Sequence, residues 1–564
     1  MANRHRRIQL LSSVACLALA TACGGGTNDE TGVESGGAED GRPVEVSGGV
    51  VSGTVSDLDP AVAVYRGIPY AAPPTRQLRW RPPEAVKPWE GTRAADSYAP
   101  GCPQVFREPE SYFGPGADTI DEDCLYLNVW TPAGDAAAGL PVMVWIHGGA
   151  LTRGTGALPG YRGDRLAARG VIVVTINYRL GLFGYLAHPL LSAESEHNSS
   201  GNYGVLDQLA ALRWVQENIA AFGGDPGRVT IFGESAGAWS VSILQASPLA
   251  RGLFHRAIGQ SGGRFSGTAR LRDSSMVGPS AEEIGASFIE GMLASNQRLT
   301  MELGEDVPVE LEFMRRATAG EILDYMARGD TPFRTSENVD GWVLEQSVYD
   351  TFLAGAQHDV PVIVGANADE ATSLDFSREP VDLASHRAQV QEMFGELASE
   401  HLGVYPATDA QSAHKAALDS ATDVGFNWEM RTWARMMGTV SSDAYLYFFT
   451  RLAPGEDSAL GAFHGAEVIY VFDNLDLTPW PPNISRQFDG IDRQLADLMA
   501  SSWVNFASTG DPNETGSPVW PRYDASEDRV MVFGDTAESI PHPRSAHLEL
   551  LDRYQESRRV GGGG

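Results

Sequence analysis

The chain has 564 residues, of which 43% are hydrophobic and 20% are charged, a composition that allows a large buried core. Its formal net charge is -31, so the average surface repels polyanions such as DNA, RNA and anionic membranes. Nucleic acid is therefore disfavoured as a partner, and most of the acidity is expected only to keep the surface solvated.

The first segment is typical of an export signal. Three arginines near the start precede an apolar run from Ile8 to about Ala20. A membrane-spanning helix needs roughly 20 apolar residues, so this run is too short to serve comfortably as an anchor. The pattern predicts a cleaved signal peptide over residues 1–22 and an exported bacterial protein.

A cysteine comes directly after this segment. Cys23 follows the small residues Thr21 and Ala22 and precedes a Gly-rich, acidic stretch that we interpret as a flexible tether over residues 23–43. This arrangement resembles the bacterial lipoprotein pattern, in which lipid is attached to the cysteine thiol. We therefore expect contact with a membrane only through a lipid anchor at Cys23. Cys16 is the weaker alternative, because it would leave a very short apolar run.

The rest of the chain reads as one domain over residues 44–560, followed by a glycine tail at 561–564, since no repeat or long linker interrupts it. Apolar runs of strand type recur along this body, at Val142–Ile146, Val171–Ile176, Val229–Phe232, Ala257–Gln260, Val360–Val364, Tyr445–Phe449 and Val530–Phe533. Helical patterns lie between several of them. One has apolar residues at steps of three and four from Val205 to Ile219 and ends at Gly223. The alternation predicts an α/β fold with a large, mostly parallel sheet flanked by helices.

Two cysteines lie in this body. Cys102 and Cys124 could form a disulfide in an oxidising compartment, and two unrelated free thiols are the alternative. The sequence contains no C-x-x-C, H-E-x-x-H or Cys/His cluster. It therefore predicts no metal site.

A short glycine-rich motif follows the run Val142–Ile146. It consists of His147, Gly148, Gly149 and Ala150. Backbone N–H groups in such a loop can face the oxyanion that develops during acyl transfer. By itself the motif is weak evidence for an oxyanion site, because such a sequence usually forms only a turn.

A second motif, G-x-S-x-G, places Ser235 between Gly233 and Gly237 at the end of the run Val229–Phe232. A strand that turns into a helix within these few residues would crowd any Cβ at the glycine positions, so the motif can expose the serine hydroxyl on a strained turn. The N–H group of Ala236 can add an oxyanion donor. An ordinary Gly/Ser-rich loop is the alternative, and this motif alone does not distinguish it from a nucleophile turn.

A serine nucleophile needs a histidine base and an orienting carboxylate. Asp369 and Glu370 follow the run Val360–Val364, and His464 stands among small residues further along. The order serine, acid, histidine is that of the α/β-hydrolases. Spacing alone leaves both acids open, and His464 is one candidate among twelve histidines.

Longer stretches of the chain resemble the type-B carboxylesterases, the family that includes the cholinesterases. FGGDPGRVTIFGESAG at Phe222–Gly237 resembles the serine signature of that family, and EDCLYLNVWTP at Glu122–Pro132 resembles its second signature. The blocks YRGIPYAAPP, NYRLG, GNYGVLDQ and VDG extend the resemblance over nearly the whole mature body. It implies an α/β-hydrolase fold whose insertions form an active-site gorge, and a serine ester hydrolase that needs no cofactor.

The resemblance also implies roles for individual residues. Ser235 becomes the nucleophile, Glu370 the orienting acid and His464 the base of an acyl-enzyme mechanism. Further implied features are oxyanion donors at Gly149, Ala150 and Ala236, and a disulfide between Cys102 and Cys124. Asp369 stays the alternative acid, because Ala371 stands where the family usually has a glycine after the glutamate. Glu234 either tunes the site electrostatically or is a buried structural carboxylate.

The expected partner is a small to medium carboxylic ester. Cholinesterases carry a tryptophan in the disulfide loop that stacks on quaternary ammonium. The corresponding loop here has Phe106, Tyr112 and Phe113 but no tryptophan, which argues against choline esters. These rings either line the gorge or only pack. The alternatives in function are a hydrolase for carbamates, lactones or polyesters with the same triad, and a non-catalytic binding protein on an esterase fold.

Overall fold

The apolar runs of the sequence form the strands of an eleven-stranded sheet, which lies at the centre of the fold. The structure is a computed structural model that describes residues 41–105, 119–134, 138–274, 278–296, 298, 301, 311–331, 333, 335–374, 382–455, 460–477 and 484–561. These residues fall within one unit, Asp40–Gly564. Cys23 and the loop aromatics Phe106, Tyr112 and Phe113 lie outside the described residues.

Sixteen strands are described. They are β1 Pro43–Val46, β2 Gly49–Ser52, β3 Thr54–Val55, β4 Val62–Pro69, β5 Thr92–Ala94, β6 Tyr126–Pro132, β7 Leu140–Ile146, β8 Ile172–Ile176, β9 Gly224–Glu234, β10 Arg256–Gln260, β11 Ala269–Arg270, β12 Asn338–Val339, β13 Val362–Asn367, β14 Ala444–Phe449, β15 Arg529–Phe533 and β16 Ala537–Pro541. The large sheet has the order β16-β15-β14-β13-β10-β9-β7-β8-β6-β4-β3, and its strands from β15 to β8 run parallel. Antiparallel strands complete both edges. The prediction of a mostly parallel sheet is confirmed.

The helices occupy the segments between and after these strands. The described α-helices are Asp164–Ala168, Gly181–Tyr185, Pro189–Glu194, Tyr203–Asn218, Ala236–Ala246, Ala281–Ser295, Leu311–Arg316, Ala319–Arg328, Val348–Leu353, Leu383–Phe394, Ala398–Val404, Ala410–Thr422, Trp428–Met436, Val468–Val471, Gly490–Thr509 and Ser545–Gly561. The predicted helix from Val205 is the one at Tyr203–Asn218. It ends one short 3-10 turn before Gly223, which takes the left-handed conformation with φ 93°.

Side chains on β7 show that both faces of the sheet are covered. Successive residues of a strand point to opposite faces. Val142, Val144 and Ile146 belong to one apolar core, whereas Met143 and Trp145 belong to another, and all five are fully buried. Burial on both sides explains why these strands are continuously apolar instead of alternating with polar residues.

The carboxyl ends of the central strands meet at one edge of the sheet. Ile146 of β7 pairs with Gly233 of β9, and Gln260 of β10 pairs with Gly365 of β13. In open α/β sheets this edge carries the ligand crevice, because the loops after parallel strands emerge together there. The segments after β7, β9 and β13 contain the predicted oxyanion loop, serine and acids.

Cys102 and Cys124 are joined by a disulfide, with a Cα–Cα distance of 5.0 Å, and both are buried. Within the described ranges, no helix combines the length and apolarity that a membrane crossing requires. The same ranges contain no group of three or more His, Cys, Asp or Glu side chains arranged to hold a metal ion.

Candidate active site

Ser235 lies at the junction between strand β9 and the helix Ala236–Ala246. Its backbone has φ 55° and ψ -122°, a conformation that non-glycine residues rarely adopt. The Ser235 N–H donates to Gln260 O at 2.8 Å, which holds the turn against the neighbouring strand. The strained turn predicted from G-x-S-x-G is therefore present.

The two glycines of the motif are required by close backbone approach. A Cβ added to Gly237 would lie 2.0 Å from Ile146 O, and one added to Gly233 would lie 2.6 Å from the Gly237 carbonyl carbon. Any side chain at either position would displace strand β7 or the helix. The local sterics inferred from the sequence therefore hold in three dimensions.

His464 and Glu370 form a short hydrogen bond. His464 Nδ1 lies 2.5 Å from Glu370 Oε2, and the other carboxylate oxygen, Oε1, accepts from Asn367 N at 2.7 Å. Glu370 is fully buried just after β13, and the Phe426 ring packs 4.8 Å from the imidazole. These contacts fix the orientation of both side chains.

The loop after β7 packs directly against the serine. A Cβ added to Gly148 would lie 3.1 Å from Ser235 Cβ. Gly149 and Ala150 both have positive φ, 108° and 55°, and they line the same cavity as Ser235 and His464. Ala236 is the first residue of its helix, so its N–H group has no partner within the helix. The arrangement can present several N–H groups to an oxyanion.

Comparisons with known proteins agree with this arrangement. The family model described as "Carboxylesterase family" matches residues 40–550. The chain belongs to the carboxylesterase family. Its relatives are esterases and related hydrolases, so the protein is a carboxylic ester hydrolase.

Two relatives of this carboxylesterase are bacterial enzymes with distinct substrates. A fumonisin B1 esterase of Sphingopyxis macrogoltabida is 39% identical over 492 residues, which is 86% of each chain. A phenmedipham hydrolase of Pseudarthrobacter oxydans is 32% identical over 512 residues, covering 86% of this chain and 94% of the relative. Among solved structures, a Geobacillus stearothermophilus carboxylesterase superposes with a TM-score of 0.76 at 32% identity, covering 90% and 99% of the two chains. The α/β-hydrolase fold is thereby confirmed.

The carboxylesterase holds its two candidate acids in different surroundings. Glu370 contacts the His464 imidazole, whereas Asp369 Oδ2 accepts from Ala462 N at 2.9 Å, on the chain segment that leads to the histidine. Asp369 therefore shapes the histidine loop, and the hydrogen bond to the ring belongs to Glu370.

Two further buried carboxylates surround the histidine of this carboxylesterase. Glu234 Oε1 lies 3.2 Å from His464 Nε2. Glu467 is fully buried and accepts from Gln260 Nε2 at 3.0 Å and from Asn367 Nδ2 at 2.6 Å. Sequence reasoning missed Glu467. Its position three residues after His464 was the available signal, but only the fold shows that it shares Asn367 with Glu370.

These carboxylates set the protonation of the site. Burial raises the pKa of Glu234 to about 8, although the charge of His464 opposes the shift. Burial alone would lower the pKa of His464, but the Glu234 and Glu370 carboxylates outweigh it and raise that pKa to about 9. An imidazolium at His464 is therefore well stabilised.

Proposed function

We propose that the protein hydrolyses small to medium carboxylic esters through an acyl-enzyme on Ser235. His464 Nε2 takes the hydroxyl proton as Ser235 Oγ attacks the ester carbonyl, and Glu370 holds the imidazole in the required tautomer. The oxyanion accepts hydrogen bonds from the backbone N–H groups of Gly149, Ala150 and Ala236. The alcohol leaves with the proton from His464, and a water activated by the same histidine releases the acid.

The observation that carries the proposal is the His464–Glu370 hydrogen bond of 2.5 Å next to a cavity shared by Ser235 and His464. Three segments far apart in the sequence supply these side chains. A purely structural role would not need a strained serine, an oriented imidazole and a glycine loop at one edge of the sheet. The presence of the serine, the histidine, the acid and the glycine loop together also argues against a non-catalytic binding protein.

The test is a panel of p-nitrophenyl esters from acetate to octanoate with the mature protein. We expect turnover with an acyl-length dependence and a burst of nitrophenol equivalent to one acyl group per chain. An aryl carbamate belongs in the same panel, because the phenmedipham hydrolase relative supports carbamates as a second candidate class. Absence of turnover on every member would contradict the proposal.

We also propose that Glu234 sets the pH range of activity through His464. The neutral imidazole is the active base, so kcat/KM should fall as pH drops through the His464 pKa, which lies above the ordinary value of 6.5. The Glu234→Gln substitution removes one of the carboxylates that raise this pKa. We expect the acid limb, which is the fall of kcat/KM on the low-pH side of its pH profile, to shift to lower pH in that variant. The measurement is kcat/KM from about pH 5 to 10.

The control for this experiment is Asp369→Asn, since Asp369 is bonded to Ala462 N and not to the imidazole. It should leave the position of the limb unchanged. A limb that stays in place in Glu234→Gln, or one that moves equally in both variants, would show that Glu234 does not act on the histidine.

We infer that the carboxylesterase is exported. The disulfide between Cys102 and Cys124 supports this, because such bonds persist in oxidising compartments. In this proposal residues 1–22 are the signal, 23–43 the tether and 44–560 the catalytic domain.

Lipid attachment at Cys23 is tested by Cys23→Ser in a bacterial host. Wild-type protein should enter the detergent phase and carry the mass of an attached lipid, whereas the variant should enter the aqueous phase. Cys16→Ser is the matched control and should stay in the detergent phase. Release by the Cys16 substitution instead would assign the anchor to that residue.

A further inference from the structure

A π-helical turn interrupts the helical segment next to the candidate active site. The turn Asp423–Asn427 joins the helices Ala410–Thr422 and Trp428–Met436, and the N–H group of Trp428 donates to the carbonyl oxygen of Asp423, five residues back. Such turns are rare inside α-helices and occur frequently at functional sites. The mechanism proposed above assigns this turn no role.

The segment contacts both residues that act with the serine. The Phe426 side chain is buried, and its ring lies 4.8 Å from the imidazole of His464. Directly before the turn, Thr422 Oγ1 accepts from Ala371 N at 3.1 Å, one residue after Glu370. One helical segment therefore touches the histidine and the loop that carries the acid.

A buried carboxylate anchors the turn. Asp423 is fully buried, and the Tyr405 hydroxyl and Asn427 Nδ2 each donate to it at 2.8 Å. Arg544, directly before the last helix Ser545–Gly561, donates to Asp423 Oδ2 from Nε at 3.0 Å and also from Nη2. Loss of either partner would leave a buried charge uncompensated, so this ion pair holds the turn at the start of the last helix.

We propose that the π-helical turn Asp423–Asn427 positions the imidazole of His464 through Phe426, and that the ion pair between Asp423 and Arg544 fixes the place of the turn. Both imidazole nitrogens face carboxylates, and the Phe426 ring adds an apolar contact that limits the tilt of the imidazole. A displacement of about 1 Å in a reacting group can cost about 100-fold in rate. This inference rests on the proposed ester hydrolysis.

The same contact also shields His464 from water. Burial lowers the pKa of His464, but the carboxylates of Glu234, Glu370 and Glu467 outweigh that effect and raise the pKa to about 9. Water admitted by the loss of Phe426 would weaken both effects. Since the effect of the carboxylates is the larger one, the pKa of His464 should then move down toward its ordinary value of 6.5.

The test is Phe426→Ala, with kcat, KM and the pH profile of kcat/KM measured for a p-nitrophenyl ester. We expect kcat to fall about 10- to 100-fold and the acid limb to shift to lower pH. KM should change by less than about threefold, because the imidazole acts in proton transfer and not in ester binding. Phe426→Leu keeps most of the apolar volume, so it should lower kcat less but still shift the acid limb, since it lacks the flat ring.

Phe394→Ala is the matched control. The Phe394 ring is also buried, and it lies 4.2 Å from the imidazole of His401, a histidine to which the mechanism gives no role. The substitution removes the same kind of ring from the same kind of contact and should destabilise the fold to a similar extent. Below the unfolding midpoints of all variants, its kcat and its acid limb should remain those of the wild type.

The anchor is tested by Arg544→Lys, which keeps the charge but loses the planar fork that meets Asp423. We expect kcat to fall about 3- to 10-fold with little change in KM. Arg435→Lys is the control. Arg435 makes a similar pair with Asp552 of the last helix, at 2.7 and 2.8 Å, but it lies beyond the turn, in Trp428–Met436. Its substitution should leave kcat unchanged.

Unchanged kcat and an unchanged acid limb in Phe426→Ala would overturn the inference, as would an equal loss in Phe394→Ala, which would indicate only a general loosening of the fold. If Phe426→Ala does not fold, a wild-type acid limb in Phe426→Leu together with wild-type kcat in Arg544→Lys would overturn it. Failure of the proposed function looks different. The wild-type protein would then hydrolyse no ester and the inference would fall with it, whereas wild-type turnover that Phe426→Ala leaves intact contradicts only the positioning role.

Discussion

Replacing Ser235 by alanine should lower kcat for a p-nitrophenyl ester by about 10⁴- to 10⁶-fold, because the proposed acyl-enzyme forms on the hydroxyl that this substitution removes. Alanine keeps the Cβ and removes only the hydroxyl, so the turn with φ 55° should form as before. The thermal unfolding midpoint should stay close to that of the wild type. Covalent labelling by an organophosphorus reagent, followed by intact mass, should disappear with the activity.

Ser261 offers a matched control for this substitution. It follows strand β10 as Ser235 follows β9, it has φ 53°, and it is fully buried. Ser261→Ala should keep the labelling and most of the turnover. Stoichiometric labelling that persists in Ser235→Ala would instead identify another nucleophile.

Replacing Glu370 by glutamine should lower kcat by about 10³- to 10⁴-fold. The amide has nearly the volume of the carboxylate, but it cannot stabilise the imidazolium and its NH2 group favours the wrong tautomer of His464. Glu370 is fully buried, so no water can replace the missing charge, and the loss of kcat is larger for that reason. The measurement is kcat for a p-nitrophenyl ester at the pH optimum of each variant.

Asp369→Asn separates the two candidate acids. The asparagine can still accept a hydrogen bond from Ala462 N, the contact that Asp369 makes now. We expect a loss of less than about tenfold, since the effect on the imidazole is indirect. A larger loss in Asp369→Asn than in Glu370→Gln would reverse the assignment of the acid.

Strand positions could be predicted because buried parallel strands are continuously apolar. The run Val142–Ile146 is contained in β7, and Tyr445–Phe449 differs from β14 by one residue. The strand predicted at Val360–Val364 agrees less well, since β13 spans Val362–Asn367. Pairing with β14 continues as far as Asn367 opposite Phe449, and this tertiary pairing extends the strand past its most apolar residues.

The nucleophile turn could also be predicted, for a steric reason. Whether a strand can turn into a helix at Ser235 depends on Gly233 and Gly237, which are its near neighbours in the sequence. The close approach of Ile146 O to Gly237 confirms that reasoning. A sequence motif can record such a steric constraint because nearly all the atoms in contact belong to one short segment. Only the neighbouring strand β7 lies outside it.

The sequence by itself determined the class of fold and the strained turn at Ser235, because periodicity and local sterics encode them. The esterase family came from the resemblance of two long signatures to those of known members. Only the tertiary structure decided which acid contacts His464, since Glu370 lies 94 positions away and its distance depends on two separate strands. The same holds for Glu467, which shares Asn367 with Glu370. Their roles follow from distances between segments that the parallel sheet brings to one edge, and no pattern within a single segment records those distances.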